Sequence, residues 1–197
     1  MSVKSILIVG VGGQGTLLAS KLLGSALVSS GYDVKVSEVH GMSQRGGSVI
    51  TYVRYGDNGE TVASPIIEAG EADVILSFEL LESARFLPYL KKGGVVITNT
   101  QQIDPMPVVT GQASYPAELE KKLTDKGIRL TAIDALGLSM QAGSAKAVNV
   151  VLLGVLAAHM NIPVEQWHET IVMGVPEKFR ELNLKAFELG LKAGEAE

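Results

Sequence analysis

The sequence contains no cysteine among its 197 residues. Without a thiol the chain has no disulfide, no ligand for an iron–sulfur cluster, no thiolate for a zinc site and no cysteine nucleophile. If the protein takes part in redox chemistry, the redox centre must therefore lie elsewhere.

Excess basic charge and long apolar runs are also missing. Lys and Arg number 17 against 21 Asp and Glu, giving a net charge of −4, which does not favour a nucleic-acid partner. The longest strongly apolar run, Ala147 to Ala158, is interrupted by Asn149 and is shorter than the ~18 residues that a spanning helix needs. The N-terminal run Ile6 to Val9 leads into glycines with no cleavage-site pattern. We expect a soluble, cytoplasmic protein.

Short apolar runs alternate with helical patterns along the chain, and 46% hydrophobic residues suffice for a substantial core. This alternation predicts a doubly wound, mostly parallel α/β sheet with a Rossmann-like first half, in one domain spanning residues 1–197 and helical from about residue 136. Strands are predicted at Val3–Val9, Asp33–Val39, Ser48–Tyr55, Ala72–Phe78, Gly94–Asn99 and Ile128–Asp134. Helices are predicted at Gly15–Ser30, Glu79–Leu90, Pro116–Lys126, Ala147–Met160 and after Pro163 and Pro176.

Two details of this pattern are specific enough to test. The Asp57-Asn58-Gly59 triplet predicts a hairpin turn that pairs the third strand with Glu60–Ala63. The last helix carries one apolar stripe through Phe179 to Leu189 and a second through Leu184 to Leu191. Two stripes exceed what one packed face requires, so we expect one to pack on this domain and the other on another polypeptide.

A glycine-rich turn follows the first strand. Gly10-Val11-Gly12-Gly13-Gln14-Gly15 satisfies G-x-G-x-x-G between a predicted strand and helix, the context in which backbone N–H groups receive a phosphate. Gly10 permits the tight turn, Gly12 the approach of a phosphate and Gly15 close packing of the helix on the strand. Glu38, near the end of the second strand, is placed to meet a nucleotide ribose.

The next segment is denser in polar chemistry than a dinucleotide site requires. Residues 38–47, EVHGMSQRGG, combine a carboxylate, an imidazole, hydroxyl and amide groups and a guanidinium. In a doubly wound sheet they would lie near the carboxyl ends of the strands, where ligands usually bind.

Together these segments resemble the gamma domain of the 2-oxoacid:ferredoxin oxidoreductases. The residues that carry the resemblance are GVGGQG, then SEVHGMSQRGGSV, then a strand ending in an arginine. The resemblance extends over nearly the whole chain, including the late apolar helix with Asn149 and the terminal VPEKFRELNLKAFELG.

The resemblance implies an enzyme complex that oxidatively decarboxylates an arylpyruvate, transfers the acyl group to coenzyme A and reduces ferredoxin. It implies that a large partner subunit carries thiamine diphosphate and the iron–sulfur clusters, in agreement with the absence of cysteine here. This chain would then be inactive alone and would bind no cofactor or metal by itself. In isolation its apolar surface could be satisfied by a homodimer.

The resemblance also supplies candidate site residues. Arg45 is expected to contact a phosphate or carboxylate, since its planar fork suits such anions. His40 would relay a proton or fix the loop by hydrogen bonding, and Glu38 would pair with Arg45 or with the partner subunit. The cofactor-binding candidates are Gly10, Gly12, Gly13, Gln14, Gly15, Gln44 and Ser48.

Three other functions remain open from the residues alone. The glycine turn and Glu38 permit a stand-alone NAD(P)-dependent dehydrogenase, which would bind nicotinamide without a partner. The GxGGxG form of the turn also occurs in adenylating enzymes, but these generally use cysteines that this chain lacks. A non-catalytic Rossmann-like interaction module is the third alternative.

Overall fold

The computed structural model describes residues 3–40, 46–56 and 59–196. These residues form a six-stranded sheet with helices against it. The strands are β1 (Val3–Val11), β2 (Asp33–His40), β3 (Ser48–Gly56), β4 (Ala72–Ser77), β5 (Leu90–Asn99) and β6 (Arg129–Ile133). The helices are α1 (Thr16–Ser29), α2 (Leu80–Arg85), α3 (Met106–Val109), α4 (Leu119–Asp125), α5 (Ala135–Ala142), α6 (Val148–Ala157), α7 (Val164–Gly174) and α8 (Arg180–Glu195).

The sheet has the strand order β2-β3-β1-β4-β5-β6. Strands β1, β4, β5 and β6 are parallel neighbours, whereas β3 runs antiparallel to both β1 and β2. The mostly parallel, doubly wound arrangement is therefore confirmed. Its first half departs from a simple β-α-β unit because β3 is inserted between β1 and β2.

Strand β1 is buried on both faces of the sheet, which explains its uninterrupted apolar run. Ile6 and Ile8 belong to one core, with α1, α6 and α8, and Leu7 and Val9 belong to the core on the opposite face. Alternate side chains of a strand point to opposite faces, so each core receives two of the four.

The predicted hairpin after β3 is wrong. Residues 59–71 contain no strand, because β3 already pairs along its length with β1 on one side and β2 on the other. Both hydrogen-bonding edges of β3 are therefore occupied, and none is left for Glu60–Ala63. Arg54 of β3 instead holds this segment through Nη1, which donates to the carbonyl oxygens of Ile66 at 2.8 Å and Ser64 at 3.3 Å.

The other differences concern where helices begin and end. The predicted helix Glu79–Leu90 is shorter, because α2 ends at Arg85 and a 3-10 turn containing Pro88 leads directly into β5. The helix α5 lies at the start of the region expected to be helical from about residue 136, although no separate helix was assigned there; the Asp134 side chain caps it by accepting a hydrogen bond from the Gly137 amide at 2.8 Å. Within the described ranges, no helix is both long enough and apolar enough to cross a membrane.

Helices α6 and α8 cross with their backbones nearly in contact. All ten residues of α6 are buried, as its apolar sequence predicts. A β-carbon added to Gly154 would lie 2.2 Å from the Phe187 carbonyl oxygen, and one added to Gly190 would lie 2.0 Å from that of Val151. Only glycine allows this approach at either position.

The two apolar stripes of α8 enter the same core. Phe187 is fully buried and Leu184 and Leu191 are partly buried, in the core that also receives Ala186 and Leu182 of the other stripe. The expectation that one stripe is reserved for another polypeptide is therefore wrong for most of its length. The helix packs against α5, α6 and α7, so its own domain covers most of both stripes.

The α6–α8 crossing predicts a large difference between two identical substitutions. Gly190→Ala should lower the free energy of unfolding by about 3 kcal/mol, because the new methyl group overpacks against the α6 backbone. The matched control is Gly24→Ala in α1, where a β-carbon would meet only a Val36 methyl group at 3.5 Å. Urea unfolding measures both variants, and equal midpoints for Gly190→Ala and the native chain would contradict the close crossing.

Candidate functional site

The carboxyl ends of four parallel strands meet at one edge of the sheet, here called the carboxyl edge. The glycine turn follows β1, Phe78 and Glu79 follow β4, Asn99 ends β5 and Asp134 follows β6. Because β3 is antiparallel, it begins at this edge with Ser48. This is the edge at which open α/β sheets usually bind ligands.

The glycine turn connects β1 to α1 through two residues in the left-handed region. Gly13 has φ 103° and Gly15 has φ 85°, values that side chains rarely tolerate. The Gly12 amide donates to the carbonyl oxygen of Gly47 at 2.8 Å. The turn is thereby joined to the end of the polar segment that precedes β3.

The side chain of Gln14 is used inside the protein. Its Oε1 accepts from the Val11 amide at 2.7 Å, and its Nε2 donates to the Phe78 carbonyl oxygen at 2.9 Å. A β-carbon on Gly10 would lie 2.9 Å from both Gln14 Oε1 and Phe78 Cβ. Gln14 thus fastens the turn to the end of β4, which leaves little of its amide for the cofactor contact expected from the sequence.

Gly15 makes room for a different neighbour from the one expected. A β-carbon here would lie 2.9 Å from Asn149 Nδ2, which donates to the Gly15 carbonyl oxygen at 3.4 Å. The close approach is therefore to the polar interruption of the apolar helix α6, rather than between α1 and the strand.

Ser48 is anchored by a buried carboxylate that sequence reasoning missed. Its Oγ donates to Glu82 Oε2, while the other oxygen of Glu82 accepts from Arg85 Nε at 3.0 Å. The Glu82 side chain is only 5% exposed. The exit from the polar segment is consequently held at Ser48 by α2 and at Gly47 by the glycine turn.

A second buried carboxylate, Glu79, binds the residues that follow β5 at this edge. It is 1% exposed and accepts three hydrogen bonds. The donors are the Ile103 amide at 3.0 Å, the Tyr115 hydroxyl at 2.6 Å and the Glu82 amide at 2.9 Å. Burial, followed by the hydrogen bond to Glu79, strongly raises the pKa of Tyr115.

Asn99 links the carboxyl ends of β4, β5 and β6. Its Nδ2 donates to the Phe78 carbonyl oxygen at 3.2 Å, and its Oδ1 accepts from the Ala135 amide at 3.2 Å. Asn99 and Glu79 both stand at the carboxyl ends of predicted strands. Their position was the signal in the sequence that could have identified them.

Glu38 lies away from the carboxyl edge. It pairs across β3 with Thr51, which in turn pairs with Ile8, so Glu38 is level with a residue of β1 that lies two positions before the glycine turn. Its Oε1 accepts from Ser20 Oγ of α1 at 2.8 Å, and it lines a cleft of about 810 Å³ between α1, β2 and α7. Because β3 intervenes, two strand spacings of about 10 Å in all separate β2 from β1.

The remaining candidate site residues, His40, Gln44 and Arg45, lie at or beyond the end of the described range 3–40. The backbone of His40 ends β2 opposite Val49, but its side chain lies outside the description. Gln44 and Arg45 also lie outside the described residues. Pairing of Glu38 with Arg45 and the anion contact of Arg45 therefore stay predictions. Among the residues that are described, no group of three or more potential ligands could hold a metal ion.

Solved structures share this fold along the whole chain. The gamma subunit of a keto/oxoacid ferredoxin oxidoreductase from Geobacter sulfurreducens matches with a TM-score of 0.73 and 24% identity, over 98% of this chain and 99% of that one. The 2-oxoglutarate:ferredoxin oxidoreductase of Magnetococcus marinus matches with a TM-score of 0.79 and 20% identity, over 100% of this chain but 32% of that longer one. The chain therefore shares the fold of these two proteins.

Comparison with known sequences identifies the family to which the chain belongs. The profile described as pyruvate ferredoxin/flavodoxin oxidoreductase matches residues 5–193. Indolepyruvate oxidoreductase subunit IorB of Thermococcus kodakarensis is 50% identical over 96% of this chain and 95% of that protein. The protein of the same description from Archaeoglobus fulgidus is 39% identical over 94% and 92%. The chain belongs to the pyruvate ferredoxin/flavodoxin oxidoreductase family, as a small subunit of the 2-oxoacid oxidoreductase class.

The contact between Tyr115 and Glu79 predicts an alkaline loss of stability. The raised pKa means that the fold favours the neutral hydroxyl, so the contribution is complete below pH 10 and is lost as the pH rises further. Tyr115→Phe should lower the free energy of unfolding by about 1–2 kcal/mol at pH 8, because Glu79 loses a donor. That deficit should shrink between pH 10 and pH 12.

Urea unfolding at a series of pH values measures this dependence, with Tyr32→Phe as the matched control outside the network. A deficit for Tyr115→Phe that stays constant up to pH 12 would contradict the assigned hydrogen bond.

Proposed function

We propose that this chain is the small subunit of an arylpyruvate:ferredoxin oxidoreductase of the indolepyruvate type. The complex would decarboxylate the oxoacid, transfer the acyl group to coenzyme A and pass the electrons to ferredoxin. The observation that carries the proposal is full-length similarity to proteins described as indolepyruvate oxidoreductase subunit IorB, from 50% identity down to 35%.

The division of labour follows from the composition. A chain without cysteine cannot ligate iron–sulfur clusters, so the electron-transfer centres belong to the partner. We assign thiamine diphosphate to the same large subunit. Ferredoxin is then a partner of the assembled complex, and this chain has no turnover alone.

This chain contributes a rigid frame at its carboxyl edge. The described residues on either side of positions 41–45 are fixed, since β2 ends at His40 and Ser48 is held by Glu82. Arg45, within this segment, would contact a carboxylate or phosphate at the partner's active site. Gln44 and the amide of Gly13 would add polar contacts, and His40 would relay a proton or orient the segment.

The arrangement of the first three strands weighs against a stand-alone dehydrogenase. In a dinucleotide site, the ribose carboxylate stands at the carboxyl end of the strand beside β1. Here that neighbour is the antiparallel β3, and Glu38 is two strands away and hydrogen-bonded to Ser20. The Gln14 side chain makes its hydrogen bonds within the protein, which likewise favours a structural role of the glycine turn over dinucleotide binding.

Reconstitution with the large subunit tests the proposal. The two-subunit complex should reduce a one-electron dye in the presence of indolepyruvate and coenzyme A, while either subunit alone should not. Turnover by this chain alone, or a tightly held nicotinamide in the purified chain, would overturn the division of labour.

Arg45→Ala tests the predicted anion contact within the same assay. Loss of one charge-assisted contact should lower kcat/KM of the complex about tenfold. Assembly should be unchanged, because the frame around the segment is intact. Lys185→Ala on the exposed side of α8 serves as the surface control. Kinetics of Arg45→Ala that match those of the control would remove Arg45 from the site.

A further inference from the structure

A second concave site lies at the opposite edge of the sheet, where the parallel strands begin. Its volume is about 350 Å³, within the range of small-molecule pockets. Its charged and titratable lining comes from the starts of β1, β4, β5 and β6 and from the turn that follows α6. These residues are Lys4, Asp73, Lys91, Lys92, Arg129 and His159. We call this site the basic cleft.

An irregularity in β5 builds one wall of the basic cleft. Leu90 pairs with Ala72 and Val95 pairs with Val74, so residues 91–94 all stand opposite Asp73. This Lys-Lys-Gly-Gly segment leaves the ladder and carries two lysines outward. Gly93 has φ 81°, a backbone conformation that favours glycine, and the space where a β-carbon would stand is open.

The single carboxylate does not neutralise the cations around it. Lys4 Nζ and Lys91 Nζ approach the same oxygen of Asp73, at 3.8 Å and 3.2 Å. The other Asp73 oxygen accepts from the Ser5 amide at 3.0 Å. Lys92 and Arg129 add two further cations to the lining. Positive charge is therefore concentrated here, although the chain as a whole carries −4.

The pKa of His159 responds to the charges in the basic cleft. Burial and then the charge of Arg129 lower its pKa. An anion bound beside Arg129 would offset that charge and raise the pKa of His159 again. The imidazole therefore provides an internal probe for occupancy of the basic cleft.

We propose that the basic cleft binds a small, multiply charged phosphate anion of the pyrophosphate type. The guanidinium of Arg129 offers a planar fork that matches phosphate oxygens, and the lysines supply point charges around it. The concave shape favours a small anion over the flat acidic surface of a protein. This site lies at the other end of the strands from the proposed active-site frame, so it is independent of the proposed function.

Titration of the full-length chain with inorganic pyrophosphate tests the proposal. Calorimetry at low ionic strength should show binding that weakens as salt is added. Arg129→Gln and Lys92→Gln should each weaken binding about tenfold, through loss of a charged contact. Lys185→Gln, which removes an exposed lysine of α8, should bind as the native chain does.

Proton NMR of His159 provides the second readout. A pyrophosphate concentration that just saturates the native chain should raise the pKa of His159 there, and the same concentration should raise it less in Arg129→Gln, because the variant is then only partly occupied. Equal affinity of the native chain and both cleft variants, or an unmoved His159, would overturn the proposal. Loss of pyrophosphate binding on assembly with the large subunit would also overturn it, because the basic cleft would then be a subunit contact.

Discussion

The placement of β3 between β1 and β2 determines what the carboxyl edge can hold. Because β3 runs against its neighbours, it begins where β1 ends, and Ser48 stands beside the glycine turn. The same insertion moves β2 one strand further out and leaves Glu38 over α1 instead of at the turn. Because of this one strand, the beginning of the chain resembles a dinucleotide-binding unit only in its glycine turn, and the end of β2 at His40 and the start of β3 at Ser48 lie at the same edge of the sheet.

The polar groups of that frame are largely satisfied by one another. Gln14 joins the turn to β4, Glu82 holds Ser48, and Glu79 holds Tyr115. Buried carboxylates need such partners, and once paired they define one arrangement of the loops. A frame of this kind is suited to holding a shape against a neighbouring subunit, which agrees with a division in which the partner carries the redox chemistry.

The sequence predicted the six strands and the alternating order of helices, because continuous apolar runs and helical periodicity are local signals. It did not predict which strands pair, and so the hairpin after β3 was assigned where β3 had no free edge. Glu79 and Glu82 were assigned to an ordinary helix, since burial of a carboxylate depends on tertiary neighbours. The family resemblance was recognisable because residues 38–48 carry more polar chemistry than folding alone requires.

Hydrogen exchange of this chain, free and in complex with its large subunit, tests most directly whether the carboxyl edge is the surface that serves the partner. The account predicts slower exchange on assembly at residues 12–15 and 41–48, with the amino ends of β5 and β6 unchanged. Protection confined to the amino ends of the strands, with residues 41–48 exchanging as in the free chain, would contradict it.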